Sequence, residues 1–210
     1  GDAFGAFNRF VRLGAVQEIK NAHALFRAAA DDYVRTVASG KTCLAISPVW
    51  SEIHAFTAEV RARMKAAGRL QSAERPVPVV FSLNWTREYH RRVENYRPND
   101  VLSFHRATAG YAKGEQATVV RREQGLLVVR AGDGTERMLD PKRTSGFDVG
   151  LGQEIRVAVG DRLLIRANCK PARLKNGDVV EVRGFGDNGA LKLADGRTVP
   201  AAFREFSPGY

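Results

Sequence analysis

The stretch VGDRLLIRANCKPARLKNGDVVEV, residues 159–182, decides the fold of the second half of the chain. Two apolar runs, 162–165 and 179–182, flank a polar loop that closes with Asn176-Gly177-Asp178. Short β-branched runs separated by Asn-Gly and Asp-Gly turns predict β-hairpins. The same pattern runs from Tyr96 to about residue 203, so this region is predicted to be a small all-β unit.

The loop within this stretch is strongly basic. Asp161 is the only acid before Asp178, whereas five cations occur between them: Arg162, Arg166, Lys170, Arg173 and Lys175. Lysine and arginine on a loop neutralise phosphates and release counterions, and the amides of Asn168 and Asn176 can bond to phosphates or base edges. The pattern favours a nucleic-acid contact. The alternative is a solvated hairpin tip.

The β region contains two similar sequence segments, which suggest an internal repeat. The first runs through Asn99-Asp100-Val101-Leu102, Lys113-Gly114-Glu115 and Asp133-Gly134-Thr135. The second runs through Gly160-Asp161-Arg162-Leu163, Asn176-Gly177-Asp178 and Asp195-Gly196-Arg197. Such a pattern predicts an SH3-like barrel or two related half-barrels. Convergent turn chemistry is the alternative, because Gly-Asp and Asp-Gly are common turn dipeptides.

The first 95 residues show a different pattern. Helical periodicity occurs in 4–13, 22–39 and 51–67, and the apolar runs AVQEI (15–19) and CLAIS (43–47) are typical of strands. CLAIS lacks alternation, which predicts a strand buried on both faces. With PVPVVFSL (76–83) as a further strand and TREYHRRVENY (86–96) as a helix, the sequence predicts an α/β layer that ends near residue 95.

Composition points to a soluble, basic protein. The 210 residues carry a formal net charge of +10, which favours polyanionic partners. No apolar run approaches the ~20 residues that cross a bilayer, and the N-terminus lacks the pattern of a secretory signal, so no membrane partner and a cytoplasmic location are expected. Cys43 and Cys169 show no metal-binding or disulfide spacing.

Ser39-Gly40-Lys41-Thr42 resembles the end of a phosphate-binding loop but fails its requirements. Arg35 stands where that loop needs glycine, and a helix precedes where a strand should. The pattern instead indicates a helix C-cap. No catalytic or metal-binding motif occurs elsewhere. A second group of aromatic and basic residues, 87–106, suits either base stacking or core packing.

Two segments resemble RecD-like superfamily 1 DNA helicases, especially the helicase part of conjugative relaxases. The run LAISPVWSEIHAFTAEVRARMKAAGRL (44–70) is similar to a strand, a Ser-Pro turn and a helix with Asn-x-x-Ile-Arg, and Arg61 matches the arginine. Thr57 replaces the asparagine, and Val49 the threonine that usually follows the proline. In the better match, residues 159–182, the resemblance is carried by Gly160, Asp161, Arg162, Asn168, Asn176 and Gly177. The closing FREFSPGY (203–210) resembles the run before a later helicase motif.

This resemblance implies a partial RecA-like α/β domain at 1–95, an SH3-like β-barrel insertion at 96–203 and a return segment at 204–210. It implies single-stranded DNA as partner, through the residues named above together with Ser47 and Arg61. ATP and Mg²⁺ are implied for the parent helicase but not for this fragment, which is expected to be inactive and to require the remainder of the motor. A truncated sheet also predicts self-association. The alternatives are an SH3-like protein-interaction module and a vestigial helicase domain.

Overall fold

The computed structural model describes residues 2–210, which form two compact units. The first, here called the helical unit, extends to Gln71 and includes Tyr210. The second, here called the β unit, comprises Ser72–Gly209. The chain is therefore a mixed α/β protein.

The helical unit consists of α1 (Ala3–Arg12), α2 (Ala22–Ala38) and α3 (Trp50–Ala66). The side chains of Asp2 and Asn21 cap α1 and α2, each accepting a backbone N–H of the first turn. Helices α2 and α3 pack through Ala30, Tyr33 and Val60. The phenylalanines of α1 are exposed, and none of its residues is buried.

The predicted strands AVQEI and CLAIS are wrong, because residues 2–71 of the described chain contain no paired strand. The side chains of Leu44 and Ile46 are 80% and 83% exposed. A parallel strand of this kind needs hydrogen-bonding neighbours, and this unit supplies none. The predicted helices were confirmed: the spans 4–13, 22–39 and 51–67 correspond to α1, α2 and α3.

The β unit contains eleven strands and one short helix in its described residues. They are β1 (Glu74–Ser82), α4 (Arg87–His90), β2 (Asp100–Phe104), β3 (Gln116–Glu123), β4 (Leu126–Ala131), β5 (Glu136–Leu139), β6 (Phe147–Ala158), β7 (Arg162–Ile165), β8 (Val179–Phe185), β9 (Leu191–Leu193), β10 (Thr198–Val199) and β11 (Phe206–Pro208). They form two antiparallel sheets, ordered β1-β6-β2-β3-β4-β5 and β10-β9-β8-β7-β11. Neither sheet closes into a barrel by pairing of the described strands.

The two sheets share one topology, as the repeated sequence predicts. The strands of the first repeat (residues 99–151) are ordered β6-β2-β3-β4-β5, and those of the second (residues 160–208) are ordered β11-β7-β8-β9-β10. A register shift falls at Val119/Arg121 in β3 and at Val182/Gly184 in β8. Each repeat has its own apolar core.

Matching hydrogen bonds extend the likeness of the repeats to single residues. The N–H groups of Asn99 and Gly160, both in the left-handed region, donate to the carbonyls of Val119 and Val182. Asp100 and Asp161, both buried, accept from the backbone three residues earlier, at 2.8 and 2.6 Å. Shared turn dipeptides alone would not produce matched long-range bonds, so the repeat is structural.

Strand β1 belongs to the β unit and not to an α/β layer. It pairs with β6 over its whole length, from Glu74↔Ala158 to Ser82↔Gly150. Val77 and Val79 join the core of the second repeat. The division between the units therefore lies at Gln71/Ser72, upstream of the boundary predicted near residue 95.

The segment 86–96 does not form the single helix that its sequence predicts. It forms α4 and a 3₁₀ turn (Val93–Asn95). The Tyr96 ring is fully buried, and its hydroxyl donates to the His90 carbonyl at 2.7 Å. This packing is incompatible with one continuous helix over 86–96. Residues 204–210 also differ from the predicted return segment, since β11 completes the second sheet and only Tyr210 belongs to the helical unit.

Candidate nucleic-acid interface

The basic loop, residues 166–178, connects β7 to β8 in the second repeat. Its tip is a tight hairpin in which Cys169 and Leu174 exchange backbone hydrogen bonds at 2.9 and 3.0 Å. Cys169, Ala172 and Leu174 are buried in the core of the repeat. At the base of the loop, the Arg166 N–H donates to the Glu205 carbonyl at 2.8 Å. The loop is therefore fixed to the core at three apolar side chains.

Alternation along this loop sends its cations outward. The side chains of Arg166, Lys170, Arg173 and Lys175 are exposed, whereas Cys169, Ala172 and Leu174 point inward. In the described part of the chain, none of these four cations forms an ion pair. The fifth predicted cation, Arg162, lies half-buried in β7 opposite Glu181. The loop thus presents four uncompensated positive charges.

Arg197, which the sequence did not single out, supports the loop. Its guanidinium donates to the Arg173 carbonyl at 3.0 Å and lies 3.9 Å from Asp178. It also bonds to Asp195, and this bond holds the pKa of the Asp195 carboxyl below its usual value. Because its charge is already paired, Arg197 positions the loop and leaves the phosphate-binding capacity to the exposed cations.

Asn168 and Asn176 take part in one hydrogen bond within the loop. The Asn168 side-chain oxygen accepts the Asn176 N–H at 3.0 Å, which ties the two sides of the loop together. Both residues are exposed, so the Asn168 amide NH₂ and the Asn176 side chain face solvent. These donors lie among the cations of the basic loop.

Ser47 and Arg61 lie in the helical unit, apart from the seven site residues of the β unit. The Ser47 hydroxyl donates to the Glu52 carboxylate at 2.6 Å and accepts the Val49 N–H at 3.1 Å, so it organises the start of α3. Arg61 is half-buried on α3. Thr57, at the asparagine position of the helicase pattern, is buried at 8% exposure and does not face solvent.

The second aromatic and basic group, 87–106, combines two buried rings with exposed arginines at 87, 91, 92, 97 and 106. Tyr96 and Phe104 are 0% and 1% exposed. Trp85 packs edge-on against Tyr89, His90 and Tyr96, and burial lowers the pKa of His90. Core packing is therefore the correct interpretation for most of these rings, and Tyr89, at 47% exposure, is the main exception.

Sequence reasoning also missed a pocket of about 260 Å³ in the β unit. It lies beside β1, the β8–β9 turn and the β10–β11 connection, and is lined by Arg75, Phe185, Pro200, Phe203 and Arg204 among others. No motif pointed to it, because its residues come from three separate segments. The hairpin and strand order that bring them together appear only in the fold.

The Ser39-Gly40 segment is a helix C-cap, as predicted. The Ser39 N–H donates to Arg35 and the Gly40 N–H to Val37, with Gly40 at φ 78°. Across residues 2–210 no cluster of His, Cys, Asp or Glu could hold a metal ion, and no helix is long and apolar enough for a bilayer. Comparison with protein-family models and with curated proteins found no match.

Proposed function

We propose that this chain binds single-stranded DNA through the basic loop of its second repeat. The observation that carries the proposal is the set of four exposed, unpaired cations on a loop anchored in the core. Anchoring lowers the entropy lost when the cations meet phosphates. The seven residues Arg162, Arg166, Asn168, Lys170, Arg173, Lys175 and Asn176 form the proposed site, with the asparagines as secondary donors.

The finer fold assignments belong to the same proposal. Three shared features support an SH3-like module in each half. They are the strand order, the long loop after the first hairpin strand (105–115 and 166–178), and the bulge in the next strand, β3 or β8. For the helical unit, we propose that α2, α3 and the exposed segment Cys43–Ser47 represent part of a RecA-like layer. That layer would be completed by the rest of a helicase motor.

The parent would be an ATP-dependent DNA helicase of the RecD-like type, in the cytoplasm, with ATP and Mg²⁺ held by other parts of the motor. Ser47 and Arg61 are proposed contacts only within such a motor. The exposed segment Cys43–Ser47 also supports self-association, whereas the β1 edge does not, since it carries Pro76 and Pro78, which cannot donate to a further strand.

A second candidate is protein interaction by the SH3-like modules. The aromatic pocket in the second repeat favours it, because clustered rings can hold proline-rich peptides. However, Pro76, Val77 and Pro78 of β1 already line this pocket. The chain itself therefore covers part of the surface that a peptide would need.

The direct test is the salt dependence of binding to a labelled dT15 oligonucleotide, with a duplex as control. For single strands the slope of log K against log[salt] is about −0.7 for each phosphate contacted. Four contacts predict a slope of about −3. Binding with a slope near zero, or no binding at low salt, would contradict the proposal.

A further inference from the structure

The pocket beside β1 differs from the basic loop in the chemistry it offers. Its walls are largely apolar, with the rings of Phe185 and Phe203 and the side chain of Pro200. At about 260 Å³ it falls just below the range of ~300–1,000 Å³ usual for small-molecule sites. It is thus suited to a single ring system and is too small for an extended peptide.

Two arginines supply the polar part of the pocket. Arg75 lies over the Phe185 ring, 4.9 Å from its centroid. Arg204, in the β10–β11 connection, also lines the pocket. The Arg204 Nε is buried without an acceptor among the described residues. None of the described side chains that line the pocket is acidic. Its charge is therefore complementary to an anion.

The first repeat provides an internal comparison. Three residues after the matched Val119 and Val182, the first repeat has Arg122 where the second has Phe185. The loop 140–146, which precedes β6 as 200–205 precedes β11, is DPKRTSG and contains no aromatic residue. The shared topology does not require these rings, so the fold of the second repeat does not by itself account for them.

We propose that this pocket seats one unpaired base of single-stranded DNA, with the adjoining phosphate against Arg75 and Arg204. This inference rests on the proposed function. Aromatic rings accept a base of any sequence by stacking, and arginine binds phosphate through its planar donors. A backbone hydrogen bond joins the pocket to the basic loop, because the Arg166 N–H donates to the carbonyl of Glu205, the neighbour of Arg204. A single DNA strand would then contact the basic loop through its phosphates and the pocket through one base.

The test compares dT15 with an abasic oligonucleotide of equal length and charge, by fluorescence anisotropy. The wild type is expected to bind dT15 more tightly by roughly 5- to 100-fold. The double variant F185L/F203L should lose this preference and still bind the abasic strand as the wild type does. Circular dichroism and thermal unfolding establish that the double variant is folded.

Two further variants keep the result decisive. R75Q/R204Q leaves the rings in place and should weaken dT15 more than the abasic strand, because a seated base holds the adjoining phosphate against these arginines and the abasic strand has no base to seat. Y89L removes an exposed ring outside the pocket and should leave the preference unchanged. If Y89L abolishes the preference, or if F185L/F203L retains it, the pocket proposal is overturned.

Other outcomes separate this proposal from the one on which it rests. Equal binding of both strands by the wild type would overturn the pocket and leave the basic loop intact as a DNA contact. No binding of either strand would overturn both. A labelled proline-rich peptide that binds the wild type but not F185L/F203L, without any base preference, would replace DNA by peptide at this site.

Discussion

The ionisation of Glu205 depends on the fold of the β unit. It directly precedes β11, and its carbonyl accepts from Arg166 at the base of the basic loop. Burial raises the pKa of Glu205 above its ordinary value, and Asp148 raises it further, while a hydrogen bond from Ser103 lowers it. The net effect is a carboxyl group that the folded state holds in its protonated form to a higher pH than the unfolded chain does.

This shift predicts a pH dependence of stability. Because the folded-state pKa is raised, the contribution of Glu205 is fully present below the unfolded pKa and is lost as the pH rises through the folded value. E205Q should therefore flatten the stability profile above pH 4.5, the ordinary glutamate value. Urea unfolding from pH 4 to pH 8 measures it. An unchanged profile in E205Q would show that Glu205 does not titrate differently on folding.

Single residues also show what the sequence could predict. The Asp that follows Asn99 and Gly160 was recognisable as a repeated turn signal, and the structure shows both carboxylates capping their own turns. By contrast, nothing local marks Arg197 as the support of the basic loop. Its partners Arg173 and Asp178 are distant in sequence, and only the pairing of β8 with β9 and of β9 with β10 brings them together.

At the scale of elements, one residue of the basic loop adopts a backbone conformation that lowers the stability of the fold. Arg173 lies at φ 52°, in the left-handed region that disfavours residues with a side chain. R173G should therefore be more stable than R173A by about 0.5–1 kcal/mol. Both variants lose the same charge, so both should lower the salt slope for dT15 by about 0.7.

Thermal unfolding and salt titration of this pair separate the two effects. Equal stability of R173G and R173A would show that the left-handed conformation carries no cost. Unequal salt slopes would show that loop flexibility, and not only charge, determines the DNA contact.

The segment CLAIS shows why an apolar run alone does not define a strand. Its composition predicts a doubly buried strand, yet burial depends on neighbours that a short window cannot reveal. The strands of the β unit were easier to predict, because their hairpin partners follow within a few residues. Local pairing is visible in sequence, and non-local pairing is not.

The exposure of this segment gives a further prediction. L44S and I46S should each change the stability of the helical unit by less than about 0.5 kcal/mol, as expected for exposed sites. I165S, in the core of the second repeat, should cost several kcal/mol or prevent folding. Urea unfolding followed by circular dichroism at 222 nm measures the helices. A large loss in L44S would indicate that the segment is buried after all.

At the scale of the whole molecule, the excess of positive charge is divided between paired and unpaired groups. Arg121, Arg130 and Arg197 are held in ion pairs with nearby carboxylates. The cations of the basic loop are not. Net charge predicted an anionic partner, but only the structure distinguishes the cations that stabilise the fold from those that remain available.

Domain organisation was predictable only in part. The change from helical to hairpin patterns was evident, and it correctly indicates two kinds of structure. The two compact units divide at Gln71/Ser72, upstream of the predicted position near residue 95, because β1 pairs with β6, which is distant in sequence. A strand whose pairs run from Ser82↔Gly150 to Glu74↔Ala158 gives no local sign of the sheet to which it belongs.

Whether the basic loop makes the DNA contact can be measured with a charge-matched pair of variants. R166A/K170A/R173A/K175A removes the four loop cations. K113A/K142A/R143A/R156A removes four exposed cations outside the loop and changes the net charge equally. Binding of dT15 is measured by fluorescence anisotropy over a range of salt concentrations.

If the loop makes the contact, the loop variant should lose up to about 3 units of salt slope, at about 0.7 per contact. The matched control should lose little of the slope. Equal losses in the two variants would rule out the basic loop as the DNA contact, because binding would then follow net charge alone.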